Sequence, residues 1–392
     1  MPRIFLDGDP IEAQLEDSVA GALLRAGVTT FTRSIKYHRP RGPFCFAGSC
    51  GQCLMRIDGV PSLPACRVQA AEGMRCVRQN GPLGVENDLF RAADFLFPEG
   101  LDHHHLLVRS RLLGRVALEV ARRLAGLGEL PGEARSAVRG ELRTVKLAIV
   151  GGGPAGLSAA RMAAAGTLLI ERERRVGGAP LLFGDTINAD AGRAEVLLQA
   201  ECVGLYANDT SLPGNGLLAV RHRDRLSAVI ADRVIVATGG VSQPLPFPGV
   251  DRPGVYAARG LLALSARVGV KLAVVGEGEE AQRCAGALSR RGYEIAMVPG
   301  VPRRALGNPV KAVDTASGER IRCDAVAIAI PPAPLHELAS SVGAQAHFDG
   351  AGFPVETDAD GRTSVPWLFA AGTVARKDAA RSGGTAGSAA CR

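Results

Sequence analysis

Four cysteines stand close enough in the chain to share one inorganic centre. Cys45-x4-Cys50-x2-Cys53 is followed, after twelve residues, by Cys66. This is the spacing of plant-type 2Fe-2S ferredoxins. Two irons need four converging thiolates. A tight loop can deliver three, and the fourth must return from the next strand. Gly48 and Gly51 let such a loop curl and bring backbone N–H groups toward the sulfurs. Zinc draws instead on paired short Cys or Cys/His spacings, which this pattern fits poorly. Cys76 lies beyond the set and reads as a buried thiol. Cys202, Cys284, Cys323 and Cys391 have no close partner in sequence. No C-x-x-C or C-x4-C follows Gly178, so disulfide-reductase chemistry lacks its redox pair.

A second constellation suits a dinucleotide. The apolar run Lys146–Val150 reads as a strand, and Gly151-Gly152-Gly153-Pro154-Ala155-Gly156 follows it and opens an Ala-rich helix. In that context G-x-G-x-x-G has a mechanism. Gly151 makes the turn, Gly153 lets the backbone approach a pyrophosphate, and Gly156 lets the helix pack close to the strand. The helix N-terminus offers its dipole and free N–H groups to phosphates. A second strand, Thr167–Ile170, ends at Glu171, placed to accept from ribose hydroxyls at the expected separation of about 20 residues. Gly177-Gly178 follows after a short loop. A further strand from Val234 ends in the turn Ala237-Thr238-Gly239, and Gly372-Thr373 stands near the C-terminus. The motif alone leaves FAD and NAD open, with FAD preferred.

The strand–turn–helix pattern recurs at Lys271–Val275, followed by Gly276-Glu277-Gly278-Glu279-Glu280-Ala281. This G-x-G-x-x-A is a weaker match, a possible NAD(P) site or a structural relic. Two acids stand where a pyrophosphate would lie, and like charge there is unfavourable. The next strand, Glu294–Val298, carries no acidic ribose partner. Arg303 and Arg304 suit either a 2′-phosphate or a solvated loop. His103-His104-His105 looks metal-like, but adjacent helical residues point in different directions. Arg33, Lys36, Arg39 and Arg41 precede the cluster loop as a docking face or a solvated rim. No motif for a nucleophile or general base stands out.

The elements that must position these residues follow the same order. Arg3–Leu6, an Asp7-Gly8 turn, a strand near Ile11–Leu15 and a helix over Val19–Ala26, capped by Asp17 or Ser18 and ended by Gly27, give a β-grasp order that leads into the cysteine loop. Residues 84–140 read as mostly helical, with a Gly/Pro linker at 126–132. From Val145 the pattern is α/β. The expected domains are a ferredoxin-like 1–83, a helical connector 84–144, a first dinucleotide-binding part 145–250, an inserted NAD(P)-like domain 251–340 and a closing part 341–392. The 392 residues carry 46 Lys and Arg against 39 Asp and Glu, a net charge of +7. No nucleic-acid motif accompanies that excess. No uncharged apolar run reaches about 18 residues, and the N-terminus lacks a signal-peptide core. A cytoplasmic protein is expected, in which nine cysteines serve as ligands or free thiols.

Resemblance adds to these readings. The segments from Gly151, Ala237 and Gly372 together resemble the glutathione and thioredoxin reductase family, with its two dinucleotide domains. There the last segment normally reads A-G-D, and its Asp contacts the ribityl-phosphate region of the flavin; here Thr373 stands at that position. Arg33 to Gly42 resembles the R-S-x-K-Y-H-R-P-R-G stretch of heterotetrameric sarcosine oxidase alpha subunits, as does Phe97-Pro98-Glu99-Gly100. The cysteines resemble the small ferredoxin-like subunits of hydrogen cyanide synthase and of opine, proline and hydroxyproline dehydrogenases. The chain thus looks like a fusion of those two parts. The large aminomethyl-transferring region of sarcosine oxidase alpha and the Cys-rich C-terminal module of cyanide-synthase-like subunits have no counterpart before Arg392, so folate-linked chemistry is not implied. What the resemblance implies is an FAD and 2Fe-2S electron-transfer subunit that works with a partner flavoprotein in a heteromeric amine or amino-acid dehydrogenase. The alternatives are a self-sufficient NAD(P)H-dependent flavoprotein reductase and a non-catalytic NAD-binding scaffold.

Overall fold

The computed structural model describes residues 1–34, 38–79, 138–222 and 225–391, with Val85 and Arg115. The expected helical connector, the His103–His105 run, Phe97–Gly100 and Lys36 lie outside the described residues, apart from Val85, Arg115 and 138–144. The chain divides into two compact units, Met1–Ala134 with Gln243–Ile330, and Arg135–Ser242 with Pro331–Arg392.

In the first unit the N-terminal residues form a five-stranded mixed sheet. Its order is Asp9–Glu12, Arg3–Leu6, Arg75–Val77, Leu54–Ile57, Val60–Pro64. Asp7 and Gly8 both take positive φ, which makes the hairpin turn. The helix Val19–Arg25 begins at Ser18, whose hydroxyl accepts from the Gly21 N–H at 3.1 Å. All six of its residues before Arg25 are apolar or small and buried. This is the expected β-grasp.

The later part of the first unit is a parallel sheet in the order Val255–Ala257, Ala325–Ile328, Lys271–Val275, Glu294–Val298. The three strands other than the edge strand Glu294–Val298 are nearly continuous buried apolar runs. The helix Gly278–Arg290 follows Lys271–Val275, and a small antiparallel sheet of Arg304–Gly307, Val310–Asp314 and Arg320–Arg322 stands apart.

The second unit is built on a sheet in the order Glu195–Leu197, Thr167–Ile170, Arg139–Val150, Arg225–Val236, Gly216–His222, Ala200–Ala207, with Leu368–Ala370 parallel to Arg225–Val236. The strand entering the glycine-rich turn starts at Arg139, well before the expected Lys146. Residues 139–144 are polar apart from Gly140 and an exposed Leu142, are mostly exposed and pair with 225–230. A strand without an apolar face leaves no periodic signal. Helices Pro154–Met162 and Ala379–Ala390 pack closely. A Cβ at Gly383 would stand 2.1 Å from the Ala155 carbonyl, and one at Gly387 would stand 2.4 Å from that of Ala159. The four-residue spacing of these glycines lets two helix backbones touch with almost no side chain between them. No helix among the described residues is long and apolar enough to cross a membrane.

Candidate redox cofactor sites

The cysteine loop runs from Phe44 into the strand Leu54–Ile57, and Cys66 follows the strand Val60–Pro64. Cys45, Cys53 and Cys66 are buried and Cys50 half-buried. Their thiols form a connected set, Cys50 against Cys45, Cys45 against Cys66, and Cys66 against Cys53. Hydrogen bonds from Cys50 and Cys66 hold the Cys45 thiol well below its usual range, with Ser49 and the Ala47 N–H adding to the effect. That N–H lies 3.3 Å from the sulfur. The hydrogen bond from Cys66 also lowers Cys53. The same neighbours push Cys50 and Cys66 up. Such crowding of four sulfurs, with a backbone donor aimed at one of them, fits thiolate ligands around a polynuclear cluster. Among the described residues no three ligand side chains surround a single ion position. A 2Fe-2S centre asks for less, since each iron takes two of the four thiolates. Cys76 differs: burial pushes its thiol up to about 11, with no cysteine contributing.

The loop is buried on one side and open on the other. Phe44, Cys45 and Phe46 are buried, whereas Gly48, Ser49 and Gly51 are exposed. Gly48 and Gly51 both take positive φ. The basic stretch before the loop is not a free rim. Arg33 is buried and donates to the Val85 and His38 carbonyls, each at 2.6 Å. Arg39 and Arg41 face Asp251 at 3.8 and 3.4 Å.

In the second unit several of the residues expected at the first dinucleotide site meet at one turn. A Cβ at Gly151 would stand 2.4 Å from the Ala237 carbonyl, and one at Gly156 would stand 1.8 Å from the Gly151 carbonyl, so neither position admits a side chain. Glu171 is buried. Its Oε2 accepts the Gly152 N–H at 2.6 Å and its Oε1 accepts the Glu173 N–H at 2.8 Å. Gly177 donates to the Gly152 carbonyl at 2.8 Å. A Cβ on Gly153 would meet nothing nearer than the Gly178 Cα at 4.0 Å. That open, side-chain-free face at the start of Pro154–Met162 is a cradle a pyrophosphate fits. The Thr238 hydroxyl donates to the Leu335 carbonyl at 2.8 Å, and Gly239 takes positive φ with open space beside it. Gly372 sits against Ala155 and donates its N–H to the Ser382 hydroxyl at 2.9 Å. Thr373 brings its methyl to the Gly240 position and stays half-buried. Its hydroxyl has no hydrogen bond among the described residues. Ser382, which anchors Gly372, carried no sequence signal of its own.

Gly276 and Gly278 lie in the first unit, Gly276 just after the strand Lys271–Val275 and Gly278 as the first residue of the helix Gly278–Arg290. The space beside Gly278 is open. Of the acids that seemed to obstruct a pyrophosphate, Glu280 is engaged. Arg259 donates to its two oxygens at 2.6 and 2.8 Å. Burial pushes the Glu280 carboxyl up, but Arg259 outweighs it and holds it low. Sequence reasoning missed Arg259, because its partner lies 21 residues away.

Residues 2–81 match the family of 2Fe-2S iron-sulfur cluster binding domains, and residues 145–307 match the pyridine nucleotide-disulphide oxidoreductases. The chain is 28% identical over 301 residues to sarcosine oxidase subunit alpha of Rhizobium meliloti, covering 67% of this chain and 30% of that subunit. It therefore spans under a third of the length of that relative. It is 35% identical over 72 residues to hydrogen cyanide synthase subunit HcnA of Pseudomonas aeruginosa, covering 18% of this chain and 68% of that subunit. L-Proline dehydrogenase of P. horikoshii shares the fold, with a TM-score of 0.71 and 23% identity, over 95% of this chain and 68% of that one. The chain is an oxidoreductase with a 2Fe-2S domain and a pyridine-nucleotide-type domain. Through its N-terminal domain it belongs to the family of hydrogen cyanide synthase subunit HcnA, here joined to a pyridine nucleotide-disulphide oxidoreductase domain.

Proposed function

We propose that this chain is the electron-transfer subunit of a heteromeric, flavin-dependent amine or amino-acid dehydrogenase, with FAD at the Gly151–Gly156 turn and a 2Fe-2S cluster on Cys45, Cys50, Cys53 and Cys66. The observation that carries the reading is one chain holding both a four-thiol loop with an exposed edge and a glycine-lined dinucleotide turn. Bound there, a flavin supplies two-electron and one-electron chemistry and the cluster supplies one-electron transfer. The chain's own residues orient and tune. Glu171 fixes the Gly152 N–H, the Gly153 and Gly178 backbones leave room for phosphates, and the Thr373 hydroxyl is free to donate to one. The exposed Gly48–Gly51 edge gives an acceptor or a partner subunit close approach to the thiol loop. The sequence relation to sarcosine oxidase subunit alpha supports a substrate with an oxidisable C–N bond and a second subunit that oxidises it.

The test is cofactor extraction and an absorption spectrum of anaerobically purified chain, followed by assays with and without a co-expressed flavoprotein oxidase-like subunit. We expect FAD and about two irons per chain. We also expect no oxidation of sarcosine or proline by the chain alone, and a stable complex that oxidises such an amine. Substantial amine oxidation by the isolated chain refutes the reading. The open space at Gly278 favours a second reading, an NAD(P)H-dependent reductase, and reduction of the isolated chain by NADH or NADPH would select it.

A further inference from the structure

The side of the thiol loop that is not exposed does not close on its own domain. Phe44 and Cys45 belong to the core built by Val255, Ala257, Ala273, Val275 and Ile328 of the parallel sheet in the same unit. The approach is closest at Gly260, in the short helix Ala258–Ala263. A Cβ there would stand 2.8 Å from the Cys45 carbonyl, 2.8 Å from the Phe46 ring and 3.0 Å from the Phe44 carbonyl. Two of those three neighbours are backbone of the loop itself and cannot swing aside. The Ala257 N–H donates to the Phe44 carbonyl at 3.0 Å, and the Phe46 ring lies 5.9 Å from that of Tyr256, which is fully buried.

The short helix is itself pinned. Arg259 is tied to Glu280 of the helix Gly278–Arg290. Arg291 donates to the Leu261 and Leu264 carbonyls at 3.2 Å each, which caps the other end. A second tie holds the ferredoxin-like domain to the same stretch: the Ser265 hydroxyl donates to Asp17 at 2.6 Å, and Asp17 is wholly buried.

We propose that the helix Ala258–Ala263 is the seat of the cluster loop and that Gly260 is a positioning residue for the 2Fe-2S centre. The proposal rests on the cluster reading above. Gly260 holds no ligand. It fixes where the Cys45 backbone, and hence one first ligand, stands, and rigid placement by surrounding contacts tunes such a centre. The full chain is expressed as wild type, G260A, F46L and G286A. Gly286 lies in the neighbouring helix, where a Cβ would meet only the Arg290 side chain at 3.7 Å, so G286A reports the helix-propensity gain without touching the loop. The readouts are iron and acid-labile sulfide per chain, the EPR g values of the reduced cluster and its midpoint potential. G260A should shift the g values and the potential, or lose iron from an otherwise folded chain, and G286A should match wild type. If G260A does not accumulate, F46L decides, because it alters the same contact from the loop side. Wild-type g values, potential and iron content in G260A, or in F46L where G260A is not obtained, overturn the seat. A wild-type chain with no reduced-cluster signal overturns the cluster reading and the seat with it.

Discussion

Glu171→Gln puts the dinucleotide turn to its sharpest test. The two carboxylate oxygens accept from two different backbone donors, Gly152 at 2.6 Å and Glu173 at 2.8 Å, and the side chain is buried. Glutamine has nearly the same shape but only one acceptor oxygen. Whichever way its amide turns, one backbone N–H faces an NH2 group. The loss is one charge-assisted hydrogen bond, about 1.5 to 3 kcal/mol, with a buried donor left unsatisfied. Relaxation of the turn recovers part of this, so about 2 kcal/mol is a fair expectation. If the turn reorders only when a dinucleotide binds, that cost appears as affinity, and Kd rises by about 30-fold. The assay is cofactor release followed by flavin fluorescence on dilution, with iron content as the internal control for an intact N-terminal domain. A Kd within threefold of wild type, in a variant of unchanged thermal stability, would show that Glu171 does not organise the turn.

The other perturbations separate the sites. Cys53→Ser should remove most of the 2Fe-2S absorbance, since a hydroxyl is a poorer ligand than thiolate, and Cys76→Ser should not; equal loss from both would discard the ligand set. Gly153→Val places a branched side chain in the open cradle, so the purified chain should lack FAD yet keep its iron, and retention of both would move the pyrophosphate elsewhere. Asp17→Asn should destabilise the first unit by about 2 to 4 kcal/mol, because Asp17 is wholly buried and accepts from Arg25, Ser265 and the Gln14 N–H. Burial raises the Asp17 carboxyl, but those hydrogen bonds outweigh it and hold it below its usual value. Its contribution is therefore complete above about pH 4 and is lost as pH falls through the lowered native value. Urea unfolding monitored from pH 7 to pH 3 should show the wild type converging on D17N in acid, and parallel curves would refute the linkage.

What the sequence disclosed was whatever is local. Cys45, Cys50 and Cys53 lie within nine residues, and the glycine turn sits between a buried strand and its helix, so spacing alone places them. Spacing singles out Glu171 as a prospective ribose partner, but its grip on the Gly152 N–H is a geometric fact that no spacing conveys. The polar run 139–144 hid a strand because strand pairing there buries no apolar face. The basic stretch misleads for a different reason. Charge on a page looks solvated, yet Arg33 is buried on carbonyl oxygens and Arg39 and Arg41 meet an acid more than 200 residues away. Contacts of that range, like the one between Gly260 and the Phe44–Phe46 backbone, leave no mark in a single sequence.

The second dinucleotide motif shows how such a contact changes the meaning of a residue. In sequence, Glu279 and Glu280 are two negative charges facing a prospective pyrophosphate, and Coulomb repulsion argues against a ligand. In the structure one of those charges is compensated by Arg259 at hydrogen-bonding distance, while Glu277 and Glu279 remain exposed to water, where repulsion is weak. The electrostatic objection to a nucleotide is therefore smaller than the sequence implies. The same ion pair has a second consequence. It fastens the start of the helix Gly278–Arg290 to the helix that seats the thiol loop, so an acid that reads as an obstacle to one cofactor serves to hold the site of another. Removing the Glu280 carboxylate would take this contact from a guanidinium only 20% exposed, carried on the short helix under Cys45.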